Sequence, residues 1–163
     1  MHPYDTIVSR DVDAFPRDAF STYPRSLSVD WREEEPRMLS AFFKATGLPA
    51  DSAALEMDDR TSYYQLVRGS DRVDVPWGDE VSAQHSMLVA LQRVFGASHS
   101  IRYLNHGCAD TACFAVETNE DWRRLESTNP HVRWFFTPIE RLPDVFKSDI
   151  DDLVRVGKTY GET

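Results

Sequence analysis

The sequence predicts an α+β domain, with an antiparallel sheet of about five strands and helices packed mainly on one face. Two patterns lead to this prediction: segments with helical periodicity alternate with strand-like segments, and the strand-like segments come in pairs joined by short polar loops, as in hairpins. The 163 residues are 41% hydrophobic, enough for one buried core. We therefore expect an irregular arm over 1–24, one domain over 25–146 and a C-terminal helix and tail over 147–163.

The strongest periodicity lies in residues 79 to 117. Asp79 to Phe95 places Val81, Leu88, Leu91 and Phe95 on one face, the spacing of a helix that packs on a core. Asp79 is suited to cap its start, and Gly96 to follow its end.

Two strands with one buried face follow this helix. Residues 98–105 and 112–117 alternate between apolar and small or polar side chains, which is the period of a strand. The loop between them is short, so a hairpin is expected.

The region before the central unit supplies a first strand and a first helix. Ser26 to Trp31 turns Leu27 and Val29 to one side, as a strand does. Arg32 to Thr46 has helical spacing of its apolar residues, with Pro36 in its first turn and Gly47 after its end.

Between that helix and the central unit, we expect an acidic connector and a second hairpin. Residues 50–60 are poorly periodic and carry four carboxylates. Thr61 to Arg68 and Arg72 to Trp77 then form two strands around Gly69-Ser70-Asp71.

The C-terminal third is predicted to be mostly helical. Asn119 to Ser127 forms a short helix with Thr118 or Asn119 at its cap, and Asn129 to Phe136 forms one more helical turn. Asp149 to Val156 is a last helix, and residues 157–163 form a frayed tail.

Charge restricts the classes of partner. The net charge of −9 disfavours non-specific binding to nucleic acid and to anionic membranes, and it is compatible with a basic protein partner. No run approaches the roughly 20 apolar residues of a membrane span, and no signal peptide is recognisable. Two cysteines do not form a disulfide-rich scaffold, so a reducing cytoplasm is expected.

The loop from His106 to Cys113 has the residue types of a metal or thiol site. His106, Cys108, Asp110 and Cys113 are possible zinc ligands, and Cys108 beside a histidine could be a nucleophile. However, the paired spacing of structural zinc sites is absent, and neither cysteine opens a predicted helix, where a thiolate would be favoured. Small buried side chains explain both cysteines more simply. We predict no catalytic residue, metal or cofactor.

Exposed carboxylates and one aromatic side chain are the candidate partner-binding residues. Glu33 and Glu34 fit the positive end of a helix dipole, which explains them without a partner. The connector acids have no helix end to explain them. Trp77, at a strand end, is suited to anchor a partner, and Asp74 precedes it in the same strand. The complete predicted set is Glu33, Glu34, Asp51, Glu56, Asp58, Asp59, Asp74 and Trp77.

These observations favour a non-enzymatic acidic protein that neutralises a basic partner, as immunity proteins neutralise toxins. Phosphate-binding loops, nucleophile elbows and dinucleotide fingerprints are absent from the sequence. One alternative is a small enzyme or metal-binding protein that uses the 106–113 loop. Another is a regulatory or scaffold domain that self-associates.

Overall fold

The computed structural model describes residues 2–105 and 111–163, and within them the chain forms an α+β fold with two antiparallel sheets. The strands are β1 (Ser26–Asp30), β2 (Ala54–Asp58), β3 (Tyr63–Arg68), β4 (Asp71–Val75), β5 (His99–Leu104), β6 (Thr111–Thr118) and β7 (Phe136–Pro138). The helices are α1 (Arg17–Ser21), α2 (Glu35–Thr46), α3 (Ala83–Phe95), α4 (Asn119–Thr128), α5 (His131–Phe135) and α6 (Ile150–Glu162). The predicted class is confirmed, but the single sheet of about five strands is wrong.

The larger sheet has four strands in the order β1-β6-β5-β7. The predicted hairpin forms its centre, with Ile101 opposite Val116, and the predicted N-terminal strand adds to it, with Leu27 opposite Phe114. All four of these side chains are buried. Because side chains alternate along a strand, they lie on one face and pack against the helices there.

The smaller sheet has three strands in the order β2-β3-β4. The second predicted hairpin is present as β3 and β4, and Gly69 takes the positive φ of 59° in its turn. The predicted connector over 50–60 contains a strand, β2, which pairs with β3. The two hairpins thus belong to different sheets.

Helices α2 and α3 form the main core between the two sheets. Phe42 of α2 and Phe95 of α3 are fully buried, with ring centroids 5.0 Å apart. Leu66 and Val75 bring the three-stranded sheet into the same cluster. Arg68 ties this sheet to the end of α3 by donating from Nη1 to the Val94 carbonyl at 3.1 Å.

Helix α3 begins four residues later than predicted. Its cap is Ser82, whose hydroxyl accepts from the backbone of His85, so the predicted cap at Asp79 is wrong. Asp144 holds Ser82 in turn, accepting from its backbone N–H at 2.6 Å and from its hydroxyl at 2.8 Å. Val81 therefore precedes the helix, whereas Leu88 and the rest of the predicted face are buried.

The other face of the four-stranded sheet is also covered, so the prediction of helices mainly on one face is wrong. A second core lies there, built from the N-terminal arm, α4 and α5. Tyr4 is at its centre, with ring contacts to Phe20, Trp122 and Phe136 at 5.2 to 5.5 Å. The arm contains a 3-10 turn, Pro3–Thr6, and helix α1, and its aromatic residues form part of this core.

A buried carboxylate joins the arm to the sheet. Glu117 of β6 is 2% exposed, accepts a short hydrogen bond from the Tyr23 hydroxyl, and pairs with Arg25 Nη1 at 2.7 Å. Burial, followed by the bond to Glu117, raises the pKa of Tyr23 well above its usual value. His2 Nε2 lies 3.1 Å from the Tyr23 hydroxyl and completes the network.

The C-terminal segment is more ordered than the sequence indicates. The predicted helical turn over 129–136 is α5, and it leads directly into a strand, β7, that pairs with β5. The predicted tail over 157–163 is the second half of α6. Gly157 is buried against Asn105, with no room for a Cβ, because the amide of Asn105 would lie 2.1 Å from it. This close contact explains why a residue of low helix propensity occupies this position of α6.

Within the described residues, none of the helices has both the length and the apolar character needed to cross a membrane.

Candidate functional site

The three-stranded sheet turns one face to the core and the other to solvent. Leu66 and Val75 point inward and are fully buried. The register places Glu56 beside Gln65, and Gln65 beside Asp74, so these three side chains form a row across the outer face. Two of the eight predicted partner-binding residues, Glu56 and Asp74, therefore lie on one surface, on either side of Gln65.

This row is linked by side-chain hydrogen bonds. Gln65 Nε2 donates to Asp74 Oδ1 at 2.7 Å, and Arg72 Nη1 pairs with Glu56 Oε2 at 2.7 Å. Both members of the ion pair are about half exposed. Pairs of this kind add little to stability because water screens them. The carboxylates are thus free to exchange these partners for an incoming cation.

Asp58 lies on the same face, at the end of β2. Its side chain is only 10% exposed and accepts from the Arg60 backbone N–H at 3.0 Å, with Arg60 Nε at 3.4 Å. The backbone hydrogen bond, followed by that of the guanidinium, lowers the pKa of Asp58. Asp58 therefore stays ionised to lower pH than an ordinary aspartate.

An aromatic pair borders the acidic row. Trp77 is 54% exposed, and its ring meets that of Tyr63 edge to face, with centroids 6.1 Å apart. Tyr63 pairs with Asp58 in the register. A large aromatic side chain that is exposed and held by a neighbour is the type of residue that anchors protein interfaces.

The other predicted residues divide into two groups. Asp51 and Asp59 are exposed in the segments that flank β2. Glu33 and Glu34 lie before α2, where the Glu33 carbonyl accepts from Gln84 Nε2 at 2.9 Å. These two glutamates belong with α2 and α3 rather than with the outer face of the three-stranded sheet.

The segment that forms the smaller sheet is acidic. Residues 51–77 contain six carboxylates and three arginines, a net charge of −3. One of the arginines, Arg68, turns toward α3 and stacks 4.6 Å from the centroid of the Phe95 ring. The outer face with its flanking turns therefore carries most of this negative charge.

A groove runs beside this face, between β4 and α3. It encloses about 510 Å³ and is lined by Asp74, by apolar side chains such as Val73 and Val89, and by His85. Burial lowers the pKa of His85, and the Asp144 carboxylate opposes that shift. Arg72 and Arg93 also line the groove, so its positive charge comes from these two guanidinium groups beside the acidic row.

Three predicted candidates of the 106–113 loop, His106, Cys108 and Asp110, lie outside the described residues. Cys113 is disulfide-bonded and lines a mostly apolar cavity of about 220 Å³ with Phe20, Leu104 and Phe136. Disulfides persist mainly in oxidising compartments, so this bond runs against the expected reducing cytoplasm. Over 2–105 and 111–163, no three His, Cys, Asp or Glu side chains cluster closely enough to hold a metal.

Comparison of the chain with protein-family models, with curated proteins and with solved structures gave no match.

Sequence reasoning missed three residues of the outer face, namely Tyr63, Gln65 and Arg72. Their outward direction follows from the period of β3 and β4, since Leu66 and Val75 are the inward members. That signal was present in the sequence. The sequence did not show that β3 pairs with β2, and this pairing brings Glu56 and Asp58 beside the residues of β3.

Proposed function

We propose that this chain is a non-enzymatic binding protein, and that the outer face of the three-stranded sheet holds a basic protein partner. The observation that carries the proposal is the juxtaposition of Glu56, Asp58 and Asp74 with the exposed Trp77 on a face the core does not use. Carboxylates of this kind steer a cationic partner to the surface, and a desolvated aromatic side chain then slows its release.

In its sharper form, the partner is a toxin-like basic protein that this chain neutralises by covering it. The net charge of −9 supports this form. An acidic chain repels nucleic acid, and it is attracted to the basic surface with which a nuclease binds nucleic acid. A cytoplasmic setting belongs to this form of the proposal. It requires Cys113 to be reduced in the cell, which thiol counting on protein extracted under alkylating conditions would test.

The test uses an arginine-rich peptide as a surrogate for a basic surface, with binding followed by surface plasmon resonance at two salt concentrations. Asp74→Lys is compared with Glu120→Lys, because both residues are exposed and both changes shift the net charge equally. We expect Asp74→Lys to weaken binding about tenfold, chiefly through slower association, and Glu120→Lys to have less than about a threefold effect.

Trp77→Ala tests the contribution of the aromatic side chain to binding without changing the charge of the surface. It should leave association nearly unchanged and raise the dissociation rate by roughly tenfold, because a truncated interface anchor loses about 1–2 kcal/mol. Equal weakening by Asp74→Lys and Glu120→Lys would mean that net charge alone binds the peptide, and the proposed surface would then be wrong. A small basic protein encoded beside this chain would provide a cognate partner for the same measurements.

A further inference from the structure

A second site lies at the other end of the molecule, where α5, the 3-10 turn Ile139–Arg141 and α6 meet. Their side chains enclose a cavity of about 330 Å³. Its polar lining consists of guanidinium groups and hydroxyls from Arg133, Arg141, Arg155, Thr159, Tyr160 and Thr163. Each of these groups donates hydrogen bonds, and the guanidinium groups cannot accept them.

The charge of this cavity is opposite to that of the molecule. No Asp or Glu side chain is among the described residues that line it, although the chain as a whole carries −9. Arg155 pairs with Asp152 at 2.6 Å, but both side chains are more than half exposed, so the pair is weak. The Arg141 guanidinium forms neither an ion pair nor a hydrogen bond with any described residue. Three like charges that share one cavity repel each other unless an anion joins them.

Arg133 is held in position at the wall of the cavity. Its Nη2 donates to the Thr163 hydroxyl at 3.2 Å, and its guanidinium stacks 4.6 Å from the centroid of the Tyr160 ring. Its Nε is buried and meets no acceptor within 2–105 and 111–163. A fixed guanidinium loses less conformational entropy when it binds an anion than a free one does.

A role in helix stability accounts for one of the three arginines in the cavity, and does not account for the other two. A cation near the carboxyl end of a helix stabilises the helix dipole, and Arg133, which contacts Thr163 at the end of α6, fits that role. Arg155 lies in the middle of α6, and Arg141 belongs to a separate turn. Arg155 is therefore not at a helix end, and Arg141 ends only a three-residue 3-10 turn.

We infer that this cavity binds the phosphate group of a small phosphate-bearing anion. Guanidinium forks bind phosphate oxygens through paired hydrogen bonds, and three of them line this cavity. The hydroxyls of Thr159 and Tyr160 already donate to the Arg155 carbonyl and to Glu126, so the arginines are the groups that bind the anion. The volume is at the lower end of the range for small-ligand sites, which fits a phosphate with a small substituent. This site is independent of the acidic sheet face and needs no protein partner.

The test is a calorimetric titration of the full chain with inorganic phosphate at low ionic strength. Arg141→Gln and Arg141→Gln/Arg155→Gln are compared with Lys158→Gln. Lys158 is exposed on α6 and does not line the cavity, so its substitution removes one positive charge from the helix that carries Arg155 without changing the cavity. We expect saturable binding by the unaltered chain, a loss of about tenfold for Arg141→Gln, no measurable binding for the double variant, and less than about a twofold change for Lys158→Gln.

A second readout follows the Arg133 Nε–Hε resonance during the same titration. It should shift on phosphate addition in the unaltered chain and in Lys158→Gln, and much less in the double variant. Thermal unfolding without phosphate confirms that the exposed substitutions leave the fold intact. Absence of saturable binding to the unaltered chain would overturn the inference, as would equal weakening by Arg141→Gln and Lys158→Gln.

Discussion

The two sheets of this molecule differ in how many of their faces are covered. The four-stranded sheet has α2 and α3 on one face, and the N-terminal arm with α4 and α5 on the other. The three-stranded sheet packs one face on α3 and leaves Glu56, Gln65 and Asp74 in water. Hydrophobic burial on two faces makes the first sheet the source of stability. The outer face of the second sheet contributes little to folding, so its side chains can be changed with little loss of stability.

The largest effect is expected from opening the second face of the four-stranded sheet. Tyr4→Ala removes a fully buried ring and leaves a cavity among Phe20, Trp122 and Phe136. The free energy of unfolding should fall by about 4 kcal/mol, and the melting temperature by roughly 10 °C.

Val8→Ala is the matched control in the same arm. Val8 is 74% exposed, so its truncation should change the free energy of unfolding by less than about 0.5 kcal/mol. Urea unfolding of both variants measures the difference. A loss below about 1 kcal/mol for Tyr4→Ala would show that the arm is dispensable and that the contrast between the sheets is smaller than proposed.

An intermediate effect is expected from the ion pairs, which differ between the sheets in burial. Arg25→Ala leaves the Glu117 carboxylate, 2% exposed, with Tyr23 as its remaining close partner, and should cost about 2 kcal/mol. Arg72→Ala breaks the half-exposed pair with Glu56 and should cost about 0.5 kcal/mol or less. Similar losses for the two variants, measured by denaturant unfolding, would contradict the assignment of stability to the covered sheet.

The smallest effect is expected at low pH on the exposed sheet. The folded pKa of Asp58 is below its unfolded value of about 3.9, so its contribution to stability is complete above that pH. It is lost as the pH falls through the folded pKa, because only the unfolded chain binds the proton between the two values. Carbon NMR of the Asp58 carboxyl should show a midpoint below the ordinary one.

Asp58→Asn should flatten the rise of unfolding free energy with pH over the same interval. Asp59→Asn changes the neighbouring exposed carboxylate and serves as the control. If the two variants have the same pH dependence of unfolding, the hydrogen bonds from Arg60 do not hold Asp58 in its charged form.

Elements with local periodicity were predictable from the sequence. Helix α2, most of α3, α4 and the strands β1, β5 and β6 follow from residues close in the chain. The strand β2 was missed because its outward positions, Ala54, Glu56 and Asp58, are small or acidic. Of its two apolar residues, Leu55 is half-buried and Met57 is 51% exposed, which is a weak alternation.

The features that were missed depend on contacts distant in sequence. The division into two sheets, the three-residue strand β7 and the core around Tyr4 are each fixed by pairing or packing with remote segments. The glycine at position 157 of α6 fits against Asn105, some fifty residues earlier. Periodicity within a segment carries no information about such partners.

The two candidate sites also differ in whether their residues are close together in the sequence. The acids at 51–59 and Asp74 were found because they are close in sequence and lack a helix end to explain them. Their convergence with Trp77 required the strand register. The arginines at 133, 141 and 155 come from three elements, and no local pattern connects them.

The three-stranded sheet also has two open sides, because β2 and β4 each pair only with β3 among the described strands. A bare strand side of this kind is a template on which identical molecules can stack into ribbons. Here such stacking would set Asp71 and Asp74 of one copy against those of the next, and Pro76 offers no N–H to continue the ladder. The carboxylates of β4 therefore disfavour the addition of a second copy at this side of the sheet.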